Sequence, residues 1–247
     1  LATVGNAYPC ISVEGFEKET DFRRGEGTFN KITAAMDCLR KEGVFFGFSA
    51  TATRENNELI VSDRFIDYYC EKGALIGWYF QYMPVGREPG MELMPTPEQR
   101  IFRLKQLSEK RRTRNILLAD FWNDGPLVGG CLAGSRYLHI NSNGDVEPCV
   151  FTHFAVDNIR DKSLKEALTS DFFNRIREQQ PYDQNLFRPC MIIDNPEVLR
   201  ETVRSCRAYP THFGADAVIN EMSDQMDEYA LRYKKLADQA WEEYQNN

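Results

Sequence analysis

In the first half of the chain, short apolar runs give way repeatedly to polar, glycine-containing segments and then to amphipathic helical patterns. This alternation restricts the fold to a parallel α/β sheet or barrel. Tyr8 to Val13 reads as a strand, and Thr28 to Glu42 as a helix with Phe29, Ile32, Met36 and Leu39 on one face and Gly43 as its stop. Val44 to Ala52 is a second strand. Ser62-Asp63 caps a helix carrying Phe65, Ile66, Tyr69 and Cys70, which Gly73 ends. Leu75 to Met83 is a third strand, apolar on both faces, and Thr96-Pro97-Glu98 opens a helix toward Arg112. A fourth run, Ile116 to Phe121, ends in Trp122-Asn123-Asp124-Gly125, where the alternation stops and a domain boundary belongs. The segments after the strands, Glu14 to Gly27, Thr53 to Asn57 and Pro84 to Gly90, fall at the carboxyl edge of the sheet, where such folds place their chemistry.

Beyond residue 125 the pattern is C-x12-G-x4-C, from Cys131 to Cys149. It sets two thiolates at the ends of a hairpin. One precedes Tyr137-Leu138-His139-Ile140, the other follows Val146-Glu147-Pro148, and Asn143-Gly144-Asp145 makes the turn. Such a hairpin suits a metal cluster whose remaining ligands arrive from distant sequence. A helical stretch from Ser163 to Gln179, a loop carrying Pro189-Cys190 and a helix from Pro196 to about Cys206 follow. The segment from Ala215 to Tyr244 reads as one amphipathic helix, with Met222, Met226, Tyr229, Tyr233, Leu236 and Ala240 as its stripe. That stripe packs back on the barrel or forms a subunit interface.

Of 247 residues, 42% are apolar and 12% aromatic, enough to fill a substantial core. The formal charge of −7 argues against nonspecific nucleic-acid binding, and the one basic run, Lys110 to Arg114, complements a helix C-terminus. There is no apolar run near the ~18 residues of a membrane span and no secretory leader, so a cytoplasmic location is expected. Seven cysteines without an export signal divide into ligands and packed thiols, with Cys10, Cys38 and Cys70 in the second group.

The order of these features resembles the radical SAM enzymes that carry a C-terminal SPASM or twitch domain with an auxiliary 4Fe-4S cluster. The residues that carry the resemblance are Ser12-Val13-Glu14-Gly15, Asp21 with Arg24, Gly27-Thr28-Phe29, and C-x12-G-x4-C after two more strand and helix units. The family's C-x3-C-x2-C, which holds the cluster that cleaves S-adenosylmethionine, does not occur among the seven cysteines. The resemblance therefore implies a fragment. It would comprise the second half of a partial (β/α)6 TIM-like barrel (1–125), a small α+β auxiliary Fe-S domain (126–214) and a C-terminal amphipathic helix (215–247), with the second 4Fe-4S cluster in the parent protein.

What the resemblance implies for individual residues is specific. Cys131 and Cys149 ligate the auxiliary cluster, joined by Cys190 in the Pro-rigidified Phe187-Arg188-Pro189-Cys190 loop and by Cys206, whose helical setting equally suits a packed thiol. If Cys206 does not bind, an iron is open to substrate or takes His153. Arg136 offsets the cluster charge or is simply solvated. Ser12 and Arg24 contact S-adenosylmethionine, with Ser49 and Thr51 on the same side of the next strand and Tyr82 or Gln81 near substrate or cofactor. In the parent enzyme, reductive cleavage of S-adenosylmethionine yields a 5′-deoxyadenosyl radical that abstracts hydrogen from a peptide or small-molecule substrate, with flavodoxin or ferredoxin as reductant. The fragment alone is expected to be inactive, and its unpaired sheet edge calls for a homodimer or the missing N-terminal half. Two other readings remain open on the residues alone: a non-catalytic iron–sulfur electron-transfer or scaffold module, and a zinc-stabilised interaction protein.

Overall fold

Four strands pair in parallel, in the order β1-β2-β3-β4: β1 (Cys10–Val13), β2 (Gly47–Ala52), β3 (Ile76–Gln81) and β4 (Leu117–Asp120). The computed structural model describes residues 1–86 and 88–246; Arg87, within the Pro84 to Gly90 segment, lies outside the described residues. The sheet and its helices form one unit, Leu1–Tyr82 with Glu92–Phe121, and Met83–Met91 with the chain from Trp122 onward form a second.

Register explains which side of the sheet is core. Ile11, Phe48, Gly77 and Leu118 stand in one row and Val13, Ala50, Tyr79 and Asp120 in the next. Both rows turn to the helices: α1 (Glu17–Arg24), α2 (Thr28–Lys41), α3 (Asn57–Ile60), α4 (Asp63–Lys72) and α5 (Pro97–Thr113). Phe48, Phe65, Tyr69 and Tyr79 interlock edge to face there, with Phe48 and Phe65 ring centroids 5.3 Å apart and Phe48 and Tyr79 5.6 Å apart. The buried phenols keep their hydrogen bonds, Tyr69 to the Gly15 carbonyl at 2.8 Å and Tyr79 to that of Ile60 at 2.9 Å. On the opposite face Ser12, Ser49, Trp78 and Ala119 form one row, Trp78 and Phe80 stack at 5.7 Å, and Leu117 is 64% exposed. Here the third strand departs from the expected two-sided burial. It alternates, because helices cover only one of its faces.

The helices start where side-chain acceptors meet their free N–H groups. Ser62 accepts from Phe65 N at 3.3 Å in α4, and Thr96 and Gln99 cap α5 reciprocally at 3.2 and 2.9 Å. Asp21, on α1, caps α2 instead, taking the Gly27 and Phe29 amides at 2.7 Å each. The basic end of α5 is tied to the acidic face of α4, with Lys110 on Asp63 at 2.9 Å and Arg114 on Asp67 at 2.7 Å.

The second unit continues through α6 (Gly125–Val128), the hairpin of β5 (His139–Ile140) and β6 (Val146–Glu147), β7 (Phe154–Ala155), α7 (Leu164–Leu168), α8 (Asp171–Glu178), α9 (Pro196–Cys206), β8 (Tyr209–Pro210) and α10 (Ser223–Gln245). The hairpin turns at Gly144, whose φ of +91° suits glycine alone at low cost. The expected 163–179 helix is two helices, since Ser163 caps the first and the chain breaks at Thr169-Ser170. The expected 215–244 helix is likewise corrected. Ala215–Ile219 is a 3-10 turn, Asn220 leaves helical space, and α10 begins at Ser223. The stripe of α10 (Met226, Tyr229, Tyr233, Ala237, Ala240) is buried within its own unit, next to α9. The Tyr233 hydroxyl donates to the Phe187 carbonyl at 3.1 Å, and Trp241 meets Phe187 edge to face at 5.4 Å. The segment thus completes the second unit instead of standing apart as 215–247. Among the described residues no helix is long and apolar enough to cross a membrane.

Candidate iron–sulfur and cofactor sites

Three of the four expected cysteine ligands converge in the second unit. Cys131 follows α6, Cys149 closes the hairpin, and Cys190 ends the loop that approaches from beyond α8; all are free thiols. Burial pushes each thiol up, Cys149 to about 12 and Cys190 to about 11, and the charge of Cys190 adds to the rise at both Cys131 and Cys149. Desolvated thiols that oppose one another's ionisation become thiolates together only against a compensating cation.

The backbone is already arranged for that state. Each sulfur receives amide N–H groups from two or three residues downstream: Ala133 for Cys131, Phe151 and Thr152 for Cys149, Ile192 and Ile193 for Cys190. The Ile192 amide lies 3.4 Å from Cys190 Sγ, and the Trp122 indole adds a side-chain donor to the same sulfur. N–H groups aimed at sulfur favour the anionic ligand form and tune a cluster's potential. Asp194 holds the Cys190 loop in shape, its Oδ2 accepting the Cys190 amide at 3.0 Å. Among the described residues no three His, Cys, Asp or Glu side chains surround one point as a single ion requires. A polynuclear cluster instead presents a separate iron to each thiolate. The donor set fits a 4Fe-4S cluster.

Two other expected ligands fall outside this group. Cys206 lies at the last turn of α9 with Ser205 Oγ at 3.8 Å. His153 has both ring nitrogens engaged, Nδ1 with His212 Nε2 at 2.7 Å and Nε2 with the Val150 carbonyl at 2.9 Å. Arg136 hydrogen-bonds the Val128 carbonyl at 2.6 Å.

Gly125 is where α6 and the Cys190 loop touch. A Cβ there would lie 1.9 Å from the Leu186 carbonyl oxygen and 3.4 Å from Pro189 Cβ. Backbone must move to relieve the first contact. Gly125→Ala is therefore expected to displace the Pro189-Cys190 segment and lower the unit's stability by about 1–3 kcal/mol. Iron retention after anaerobic gel filtration and a thermal melt measure both effects, and wild-type values for the two would refute this account.

In the first unit a cavity of about 630 Å³ opens at the carboxyl ends of β1, β2 and β3, lined by Glu14, Arg23, Thr53, Asn56, Tyr82 and Leu93 among others. Glu14 is buried and chelated by two arginines, Arg23 at 2.6 Å and Arg24 through Nη2 at 2.6 Å and Nε at 3.0 Å. Arg24 thus has an internal carboxylate as one partner. Asn56 ties the ends of the first two strands together, donating to the Glu14 and Thr51 carbonyls at 2.9 and 3.1 Å. Ser12 and Ser49 are register partners on the half-exposed sheet face, Thr51 lies one pleat further on, and Tyr82 lines the cavity. Gln81 is buried against Arg103, at 3.0 Å from its Nη2.

Residues 131–192 match the SPASM family, an iron–sulfur cluster-binding domain, over the stretch that holds the three converging cysteines. The chain is also similar, over a longer stretch, to curated proteins and solved structures named for AdoMet. It is 24% identical over 202 residues to an AdoMet-dependent heme synthase of Nitratidesulfovibrio vulgaris, covering 70% of this chain and 54% of that protein. The same-named protein of Methanosarcina barkeri is 24% identical over 207 residues, covering 73% and 58%. The chain spans little more than half the length of these relatives. Among solved structures, native anSMEcpe with bound AdoMet and Cp18Cys peptide shares the fold with a TM-score of 0.55 at 17% identity, covering 97% of this chain and 72% of that one. Streptococcus suis SuiB aligns with a TM-score of 0.54 at 17% identity, covering 69% and 45%.

Proposed function

We propose that this chain forms one wall and the auxiliary-cluster domain of a radical SAM enzyme, with Cys131, Cys149 and Cys190 as ligands of a 4Fe-4S cluster. Sequential strand order with helices on one face supports a segment of a (β/α)6 barrel, because a doubly wound sheet would carry helices on both faces. The face bearing Ser12, Ser49 and Thr51 then lines the barrel interior, and the cavity beside Glu14 and Tyr82 receives S-adenosylmethionine or substrate. Glu14 fixes Arg23 and Arg24 at that mouth, so that the guanidinium hydrogens left over from the ion pairs meet an incoming anionic group.

When bound, the auxiliary cluster supplies a redox centre or a point of substrate attachment; the chain itself supplies the thiolates, the N–H donors and a cover that excludes water. The cluster that cleaves S-adenosylmethionine comes, on this reading, from polypeptide outside this sequence, and a flavodoxin or ferredoxin delivers the electron. The substrate is a peptide or a small molecule. Structural relatives solved with peptides support the first and the heme synthases the second. The observation that carries the proposal is the convergence of three half-buried, amide-donated thiols within the SPASM match. Anaerobic expression followed by iron, acid-labile sulfide and zinc analysis tests it. About four irons and four sulfides per chain are expected, whereas stoichiometric zinc without sulfide would establish the interaction-protein reading in its place.

A further inference from the structure

Tyr182, half-buried after α8, is held from two sides. Gln180 Nε2 donates to its hydroxyl at 3.3 Å, and the hydroxyl itself points to Met191 Sδ at 3.6 Å. Gln180 is in turn anchored on the Ala133 carbonyl at 2.7 Å. Both anchors belong to ligand segments. Ala133 is the residue whose amide donates to Cys131, and Met191 directly follows Cys190. The phenol therefore hangs between two segments of the cysteine cradle. Burial holds its pKa well above the ordinary value, and charge on Cys131, Cys190 or Cys149 would raise it further. A phenol so placed stays neutral and keeps its proton to donate. At present that proton goes to a thioether, one of the weakest acceptors in a protein.

We propose that Tyr182 donates its hydrogen bond to the auxiliary cluster or to one of its thiolates, that Gln180 positions it to do so, and that this bond raises the cluster's reduction potential. The inference rests on the iron–sulfur reading above. Its physical basis is charge. Reduction adds an electron to a centre that is already anionic, and a hydrogen bond to sulfur gains strength with that charge, so removing the donor penalises the reduced form. Tyr182 would then be a tuning residue, with Gln180 its positioning residue.

The full chain, reconstituted anaerobically, contains no C-x3-C-x2-C and so gives a single cluster signal in a redox titration. Tyr182→Phe is expected to keep wild-type iron and sulfide yet shift the oxidised-to-reduced ratio at a fixed potential about tenfold toward oxidised, which is 59 mV for a one-electron couple. Gln180→Ala, which retains the hydroxyl but frees it, shifts the ratio the same way by less. An unchanged ratio in fully loaded Tyr182→Phe overturns the proposal. Should that variant lose iron, Gln180→Ala decides: a shift supports the proposal and an unchanged ratio overturns it. If the wild-type chain itself takes up no cluster, the iron–sulfur reading fails first, a different result from a loaded cluster indifferent to Tyr182.

Discussion

Alanine at Cys131, Cys149 or Cys190 is expected to reduce cluster iron from about four per chain to below one, while Cys206→Ala keeps the wild-type content. The asymmetry follows from how each thiol is housed. The first three share a desolvated cradle in which amides of residues 133, 151, 152, 192 and 193 point at sulfur, and loss of one thiolate leaves an iron without a ligand and those amides without an acceptor. Cys206 sits at a helix end beside Ser205 Oγ, half-buried. Iron and sulfide analysis of the four variants, with visible absorption recorded before and after chelation, gives the comparison. Equal loss in all four variants would mean that α9 moves to bring Cys206 into the cradle. Retention in the first three would remove the cluster from this unit altogether.

The chemistry of the hairpin was legible because both determinants are local: a glycine required at positive φ and two cysteines at fixed offsets from it. Cys190 was reachable through the proline before it. The donors to sulfur were not, since the amides of Ile192 and Ile193 reach Cys190 only when the 190–195 loop folds back on Asp194, a conformation no residue type announces. Tyr182 looks in the sequence like any other aromatic. In the sheet unit the strands and most helices follow from periodicity and caps, but Glu17–Arg24, inside the segment Glu14 to Gly27 that follows the first strand, is a helix that periodicity did not show. It has no apolar stripe to reveal it, and it is held by Glu19 accepting the Phe16 amide at 3.0 Å and by arginines reaching back to Glu14. The same pairing of Arg24 with Glu14 was not legible. A buried acid ten residues earlier was the available clue, and a strand-end glutamate is more simply read as solvated.

Arg103 carries the second large effect: Arg103→Ala is expected to cost the sheet unit about 3–5 kcal/mol, a large share of the 5–15 kcal/mol typical of a whole domain. In the sequence Arg103 is one more charge on α5; in the fold it is fully buried and satisfies three partners on three elements. Its Nε donates to Asp120 at 3.0 Å on β4, Nη1 to Asn57 at 2.8 Å on α3, and Nη2 to Gln81 at 3.0 Å on β3. Truncation takes the guanidinium away from a buried carboxylate and two buried amide oxygens, and it also empties the space the side chain fills. Trp78 is the one tryptophan of this unit, so in a background with Trp122 and Trp241 replaced by phenylalanine its fluorescence through a urea titration reports the loss separately from the cysteine-bearing unit. Arg103→Met with Asp120→Leu is expected to recover part of the deficit, because removing both charges costs less than removing one. A single Arg103→Ala variant within about 1 kcal/mol of wild type would mean that solvent reaches Asp120 and that the network contributes only what a surface pair does.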